Sequence, residues 1–152
     1  MTIQIEPHSG RFAGQCHQFA VRVYYEDTDL SGIVYHANYL RWFERARSDM
    51  LRLLGIDQRA AAEAGEGFYS VANLSIRYAA PARLDDAVII ESTATDIGAA
   101  SVVIQQKAFK GDSLLAEAQI RVGFVSPQGR PRRQPAAWRD AFSTLLTSES
   151  PE

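Results

Sequence analysis

A single cysteine, Cys16, stands among 152 residues. No intrachain disulfide can form, and no cysteine-rich metal site can be built. Cys16 reads as an ordinary thiol near the first strand, because His17 is only its neighbour in sequence. The three histidines, His8, His17 and His36, are scattered without metal-ligand spacing, so no catalytic metal is expected. Neither sign of charge dominates: 16 basic and 18 acidic residues leave a formal net charge of -2. That balance gives no overall basic field, and nucleic acid is not an expected partner. Affinity for a polyanionic group must come from a local patch. No apolar run is long enough to span a bilayer, and the opening MTIQIEPHSGRF lacks the apolar core of a signal peptide. The expectation is a cytoplasmic protein. A phosphate-cradling glycine loop and an internal repeat are also missing.

What is there suits one domain. Hydrophobic residues make up 46% and charged residues 22%, which allows a sizeable core. Residues 1–16, with Pro7, Gly10 and Gly14, read as a flexible leader. The alternating, aromatic-rich 17–25 predicts a strand, and 26–35 a turn leading out of it. A long helix is predicted over 37–54, where Tyr39, Phe43, Ala46, Met50 and Leu53 recur at spacings of four and three. Arg41, Glu44, Arg45, Ser48, Asp49 and Arg52 supply its polar positions. Asn38 or His36 is expected at its N-terminal cap and Gly55 at its stop. A short helical turn is expected over 58–64. Four β-rich runs follow, 68–79, 87–96, 101–109 and 114–125, with Gly98 and Gly111 in tight connections. Residues 135–146 predict a closing helix, and 147–152 a flexible tail. One amphipathic helix against one antiparallel sheet is an α+β layout, with the domain spanning 17–146.

The chemistry-bearing stretch is YEDTDLSGIVYHANYL, from Tyr25 to Leu40. It joins a strand to the start of the long helix. A helix start presents unpaired backbone N–H groups and the positive end of the macrodipole. Those donors suit a carbonyl and the oxyanion formed when it is attacked. A carboxylate on the adjoining loop can attack that carbonyl or activate a water. Asp29, Asp27, Glu26 and Glu44 are the rival carboxylates. Taken singly, Asp29 reads equally as a turn aspartate, His36 as a helix cap and Tyr25 as an ordinary strand aromatic.

The run VRVYYEDTDLSGIVYHANYLRWFERARSDMLRLLG resembles the signature of the YbgC-type acyl-CoA thioesterases. These are associated with the Tol–Pal system and belong to the hydroxybenzoyl-CoA thioesterase branch of the hotdog superfamily. YAAPARLDD and, more loosely, RPRRQPAAW resemble the same family, and the likeness spans about 18–142. It implies a hotdog fold, in which a curved antiparallel sheet wraps one long central helix. It also implies a homodimer or homotetramer with sites at the interface. Asp29, the second aspartate of EDTD, takes the family's catalytic position, with Tyr25 on the preceding strand and His36 in VYH. Asp27 is expected to be structural. Tyr35 is expected as substrate-wall material, and Arg83, Arg130, Arg132 and Arg133 as binders of CoA phosphates. The leader departs from the family pattern, as does Ser31, which stands where a smaller residue such as glycine is common.

The implied activity is metal-free hydrolysis of an acyl-CoA or acyl carrier protein thioester, with no cofactor beyond the CoA of the substrate. Peripheral association with the inner-membrane Tol–Pal or lipid-synthesis machinery goes with the same likeness. Two competing readings remain. One is a hotdog enoyl-thioester hydratase. The other is a non-catalytic binding module for acyl carriers or envelope proteins.

Overall fold

The computed structural model describes residues 4–147. The chain runs β1 (Arg11–Ala13), β2 (Cys16–Arg22), a 3-10 turn (Tyr25–Asp27), α1 (His36–Leu53), α2 (Gln58–Glu63), β3 (Phe68–Tyr78), β4 (Ala87–Ile97), β5 (Ser101–Lys110), β6 (Ser113–Val125) and α3 (Ala136–Ser143). The strands make one six-stranded sheet in the order β1-β2-β4-β5-β6-β3, antiparallel at every pairing. This is the expected α+β architecture.

The apolar spacing of α1 does what its pattern predicts. Tyr39, Trp42, Phe43, Ala46, Met50 and Leu51 are buried. They join Ile90, Ile104 and Ile120 of β4, β5 and β6 in one core. Strands β4 and β5 alternate buried and less buried residues, as a sheet with one face on a helix requires. The helix stops where Gly55 adopts a φ of 80°. Ile56 N–H reaches back to Leu51 C=O at 2.9 Å and Gly55 N–H to Arg52 C=O at 3.1 Å. This is a Schellman closure, sealed by the buried pair Ile56 and Leu51.

Four details differ from the sequence reading. The leader is not featureless: Arg11–Ala13 pairs with β2 as an edge strand, and Gly10 N–H donates to Asp49 at 2.9 Å. Strand β2 ends at Arg22, not at residue 25. Beyond it the Asp27 carboxylate accepts from Tyr24 N–H at 2.8 Å, and such a local side-chain bond competes with ladder pairing. The N-cap of α1 is Tyr35, which supplies no capping acceptor. Asp49, expected on the polar face of α1, is buried against His17 at 2.7 Å. Of the expected tail, Thr147 N–H donates to Ala94 C=O at 2.9 Å, and 148–152 lie outside the described residues.

Candidate active site

The loop between β2 and α1 is a small hairpin folded back on the helix start. A bridge joins Thr28 to Val34, and Asp29 N–H donates to Ile33 C=O at 2.9 Å. Gly32 takes a φ of 82° at the tip, which a Cβ would disfavour. Asp27 fastens this hairpin to the helix. Its backbone carbonyl accepts from Tyr35 N–H at 2.8 Å. Its carboxylate bridges Tyr24 N–H and, at 3.2 Å, the Asn38 side chain. The expectation that Asp27 is structural agrees with these contacts.

The second motif packs beneath the first. Val34 N–H donates to Ala82 C=O at 2.9 Å, Ile33 bridges Arg83, and Ala82 N–H donates to the Tyr39 hydroxyl at 3.2 Å. The AAPARLDD connection is thus a floor for the YEDTD loop. Arg83 lies beside that loop, its backbone held by the Asp86 carboxylate at 2.8 Å.

Asp29 is exposed on the hairpin, and its carboxylate accepts from both the backbone N–H (2.8 Å) and the hydroxyl of Ser31. The Ser31 hydroxyl bond, then the Ser31 N–H, holds its pKa below the ordinary aspartate value. Asp29 is therefore an anion through the neutral range. Ser31 is its direct partner.

His36 opens α1. Its ring lies 4.5 Å from that of Tyr35 and 6.1 Å from that of Tyr78, centroid to centroid. The Tyr78 hydroxyl donates to the His36 carbonyl at 2.9 Å. Tyr78 was missed in the sequence. The available signal was its position as the last residue of an aromatic-flanked strand, just before AAPARLDD. Tyr35 offers no side-chain cap; its carbonyl accepts from Asn38 N–H at 2.9 Å, which leaves the N–H groups of His36 and Ala37, the first two of the helix, without a bonded acceptor among the described residues. Tyr25 sits in the 3-10 turn rather than on the strand, with its side chain largely exposed at 82%. Only its carbonyl is engaged, by Thr28.

Of the predicted arginines, Arg83 lies here and the C-terminal three do not. Arg132 gives one guanidinium nitrogen, Nη1, to the carbonyls of Gly65 and Glu66, at 3.2 and 2.6 Å. The backbone of Arg130 closes a turn with Ser126. Phe68, at the start of β3, pairs with Val125 just before this segment, while Tyr78, at the far end of β3, touches His36. Within one chain, then, the segment holding Arg130, Arg132 and Arg133 lies at the opposite end of β3 from His36. Among the described residues no helix is long and apolar enough to cross a membrane.

Residues 23–146 match the family model described as the thioesterase-like superfamily. The acyl-CoA thioesterase YbgC of Haemophilus influenzae is 37% identical over 125 residues, covering 79% of this chain and 92% of that one. The acyl-CoA thioester hydrolase YbgC of Escherichia coli O6:H1 is 41% identical over 120 residues, 78% of this chain and 89% of its own length. Among solved structures, a probable thioesterase from Bartonella henselae superposes with a TM-score of 0.76 at 36% identity, covering 79% of this chain and 99% of that one. The chain has the hotdog fold and belongs to the thioesterase-like superfamily, within it to the YbgC acyl-CoA thioesterases.

Proposed function

We propose that this chain hydrolyses acyl-CoA thioesters with Asp29 as the reacting carboxylate. The observation that carries the reading is an exposed carboxylate, its pKa lowered by Ser31, on a hairpin fastened to a helix start that has no side-chain cap. The thioester carbonyl lies against the first-turn N–H groups near His36, which stabilise the oxyanion. In one route, Asp29 takes a proton from water as the water oxygen attacks the carbonyl carbon. In the other, Asp29 attacks directly, and water then hydrolyses the mixed anhydride. Either way the C–S bond breaks, CoA leaves as its thiolate and takes up a proton, and the acid is released. His36 positions the acyl group, Tyr35 beside it forms part of the wall, and Tyr25 reaches the water or substrate from the turn. Neither route needs a cofactor beyond the CoA of the substrate.

The working unit in this reading is a homodimer. Strand β3 is an 11-residue edge strand whose residues are exposed or only partly buried, an arrangement proteins rarely leave unpaired. Leu30, at 109% exposure, projects from the hairpin tip. Antiparallel pairing of two β3 strands about a two-fold axis sets the start of one against the end of the other. That pairing carries the segment of Arg130, Arg132 and Arg133 toward the neighbour's Asp29 loop, where they join Arg83 on the CoA phosphates. Two such dimers make the tetramer. Placement in the cytoplasm, beside the inner-membrane Tol–Pal or lipid-synthesis machinery, rests on family likeness.

A panel of acyl-CoA and acyl carrier protein thioesters, read with a thiol-reactive dye, tests the activity. Thiol release is the expected outcome. Hydration of an enoyl thioester without thiol release, or saturable acyl-carrier binding without turnover, overturns the proposal.

A further inference from the structure

The leader is fastened to the rest of the chain at one buried polar cluster. Asp49 Oδ2, on α1, accepts from Gly10 N–H at 2.9 Å and from His17 Nε2–H at 2.7 Å. No larger residue fits at position 10: a Cβ there would collide with Gln18 C=O and lie 3.0 Å from His17 Nε2. Phe12 pairs with His17 in the β1–β2 register and meets its ring edge-on, the centroids 5.4 Å apart. His8 stacks on Phe19 at 4.9 Å and bonds Ala20 C=O at 2.9 Å. Strand β1 is only three residues long and is laddered to β2 alone. Strand β2 keeps its own pairing with β4 from His17 to Arg22. His17 is fully buried, and its other nitrogen, Nδ1, has no partner among the described residues. An Asp49 carboxylate accepts from Nε2–H, which leaves Nδ1 as a bare lone pair. A proton added there becomes a buried donor with nothing to receive it.

We infer that residues 8–13 form an acid-released strap: a proton on His17 Nδ1 lifts them from β2 and α1 while the sheet and helix beneath stay folded. Gly10 and Phe12, two of the groups that cover the imidazole, belong to the strap, so lifting it admits water to the ring. Among the described residues, Asp49 is the one charged group in hydrogen-bond reach of that ring. Arg41, Glu44, Arg45 and Arg52 of α1, with His8 of the leader, share a groove with Asp49. Cys16, and Glu91 of β4, flank the His17–Ser92 pair and so face the other side of the sheet. In the closed form burial, opposed by Asp49, holds the His17 pKa below the ordinary histidine value. The wetted open form takes the proton more readily, so acid favours it. Short edge segments open at far lower cost than core strands, and release therefore precedes unfolding. Strands β1 and β3 lie at opposite edges of the sheet, so the proposed dimer seam is untouched.

Amide hydrogen exchange of the full chain, read residue by residue by NMR and corrected for intrinsic exchange rates, tests the inference. Opening at Gly10 and the β1 amides should rise roughly 10-fold per pH unit below about pH 6.5 until the lower folded pKa is reached. The amides of β4 and β5 should stay protected over the same range. His8→Gln should keep this response. In His17→Gln, whose amide still donates to Asp49 but does not titrate, the response should vanish. Gly10→Ala, which has no room to close, should expose the same amides at neutral pH. It should also move the NMR titration of His17 up toward its ordinary value, a test that holds even if His17→Gln does not fold. A pH-independent strap in the wild type overturns the inference. So does an unchanged response in folded His17→Gln, its loss in His8→Gln, or acid exposure of β4 together with β1. An unshifted His17 titration in folded Gly10→Ala overturns it as well.

Discussion

Ser31 and Tyr78 show how single residues set up the site. Ser31 donates twice to Asp29 and lowers its pKa. A group with a depressed pKa keeps its anionic form to lower pH, so the acid limb of kcat/KM that reports Asp29 lies below the ordinary aspartate range. Ser31→Ala removes the larger cause, and the limb should move to higher pH while the neutral plateau stays nearly level. A pH–rate profile measures this directly. Tyr78 acts through His36. Tyr78→Phe deletes one hydrogen bond, worth about 1 kcal/mol, and should lower kcat by roughly 5-fold with KM and Tm nearly unchanged. Equal losses in Tyr78→Phe and Tyr78→Ala confirm the hydroxyl, and a Tm collapse in the phenylalanine variant contradicts it. Sequence made Asp29 and His36 legible because their motif is local. Ser31 stood out only as a departure, although its bond to Asp29 is just as local, and Tyr78 carried no assigned role, because its contact with His36 joins the sheet to the helix start.

At the scale of elements, the long helix was readable because its apolar spacing is a property of neighbouring positions. Asp49 was misread for the same reason: nothing local marks a carboxylate whose partner, His17, lies 32 residues away in β2. Strand β1 was too short to show a pattern. The His17–Asp49 contact ties α1 to β2 and holds Gly10 in place. His17 Nε2 faces Asp49, and Nδ1 is buried without a partner among the described residues. Protonating Nδ1 therefore buries an unsatisfied donor. Burial lowers the His17 pKa despite Asp49. The unfolded chain then binds this proton more readily than the folded one. Stability from His17 is complete above about pH 6.5, the ordinary histidine value, and is lost as pH falls through it toward the lower folded pKa. Thermal melts between neutral pH and the folded pKa should show Tm falling with acidification. The fall should be shallower in His17→Gln, and an equal slope in both proteins contradicts the assignment.

For the molecule as a whole, the same edge that makes one chain look unfinished is the predicted seam of the dimer. Lysines at Ala72 and Asn73, both exposed on β3, should hinder edge pairing. Sedimentation is expected to show the wild type as a dimer or a dimer of dimers and the double variant as a folded monomer with little turnover. An active wild-type monomer at assay concentration contradicts the interface. The distribution of the arginines was not legible in sequence, because β3 carries the chain from one end of the sheet to the other and separates Arg130 to Arg133 from Asp29. The measurement that bears most directly on the account is acyl-CoA hydrolysis by Asp29→Asn, followed by thiol release with a thermal melt alongside. An amide neither takes a proton from water nor attacks a carbonyl well. Turnover should fall by at least roughly 100-fold at an almost unchanged Tm. A folded Asp29→Asn with near-wild-type turnover, paired with an inactive but folded Glu44→Gln or Asp27→Asn, would contradict the assignment of the reacting carboxylate.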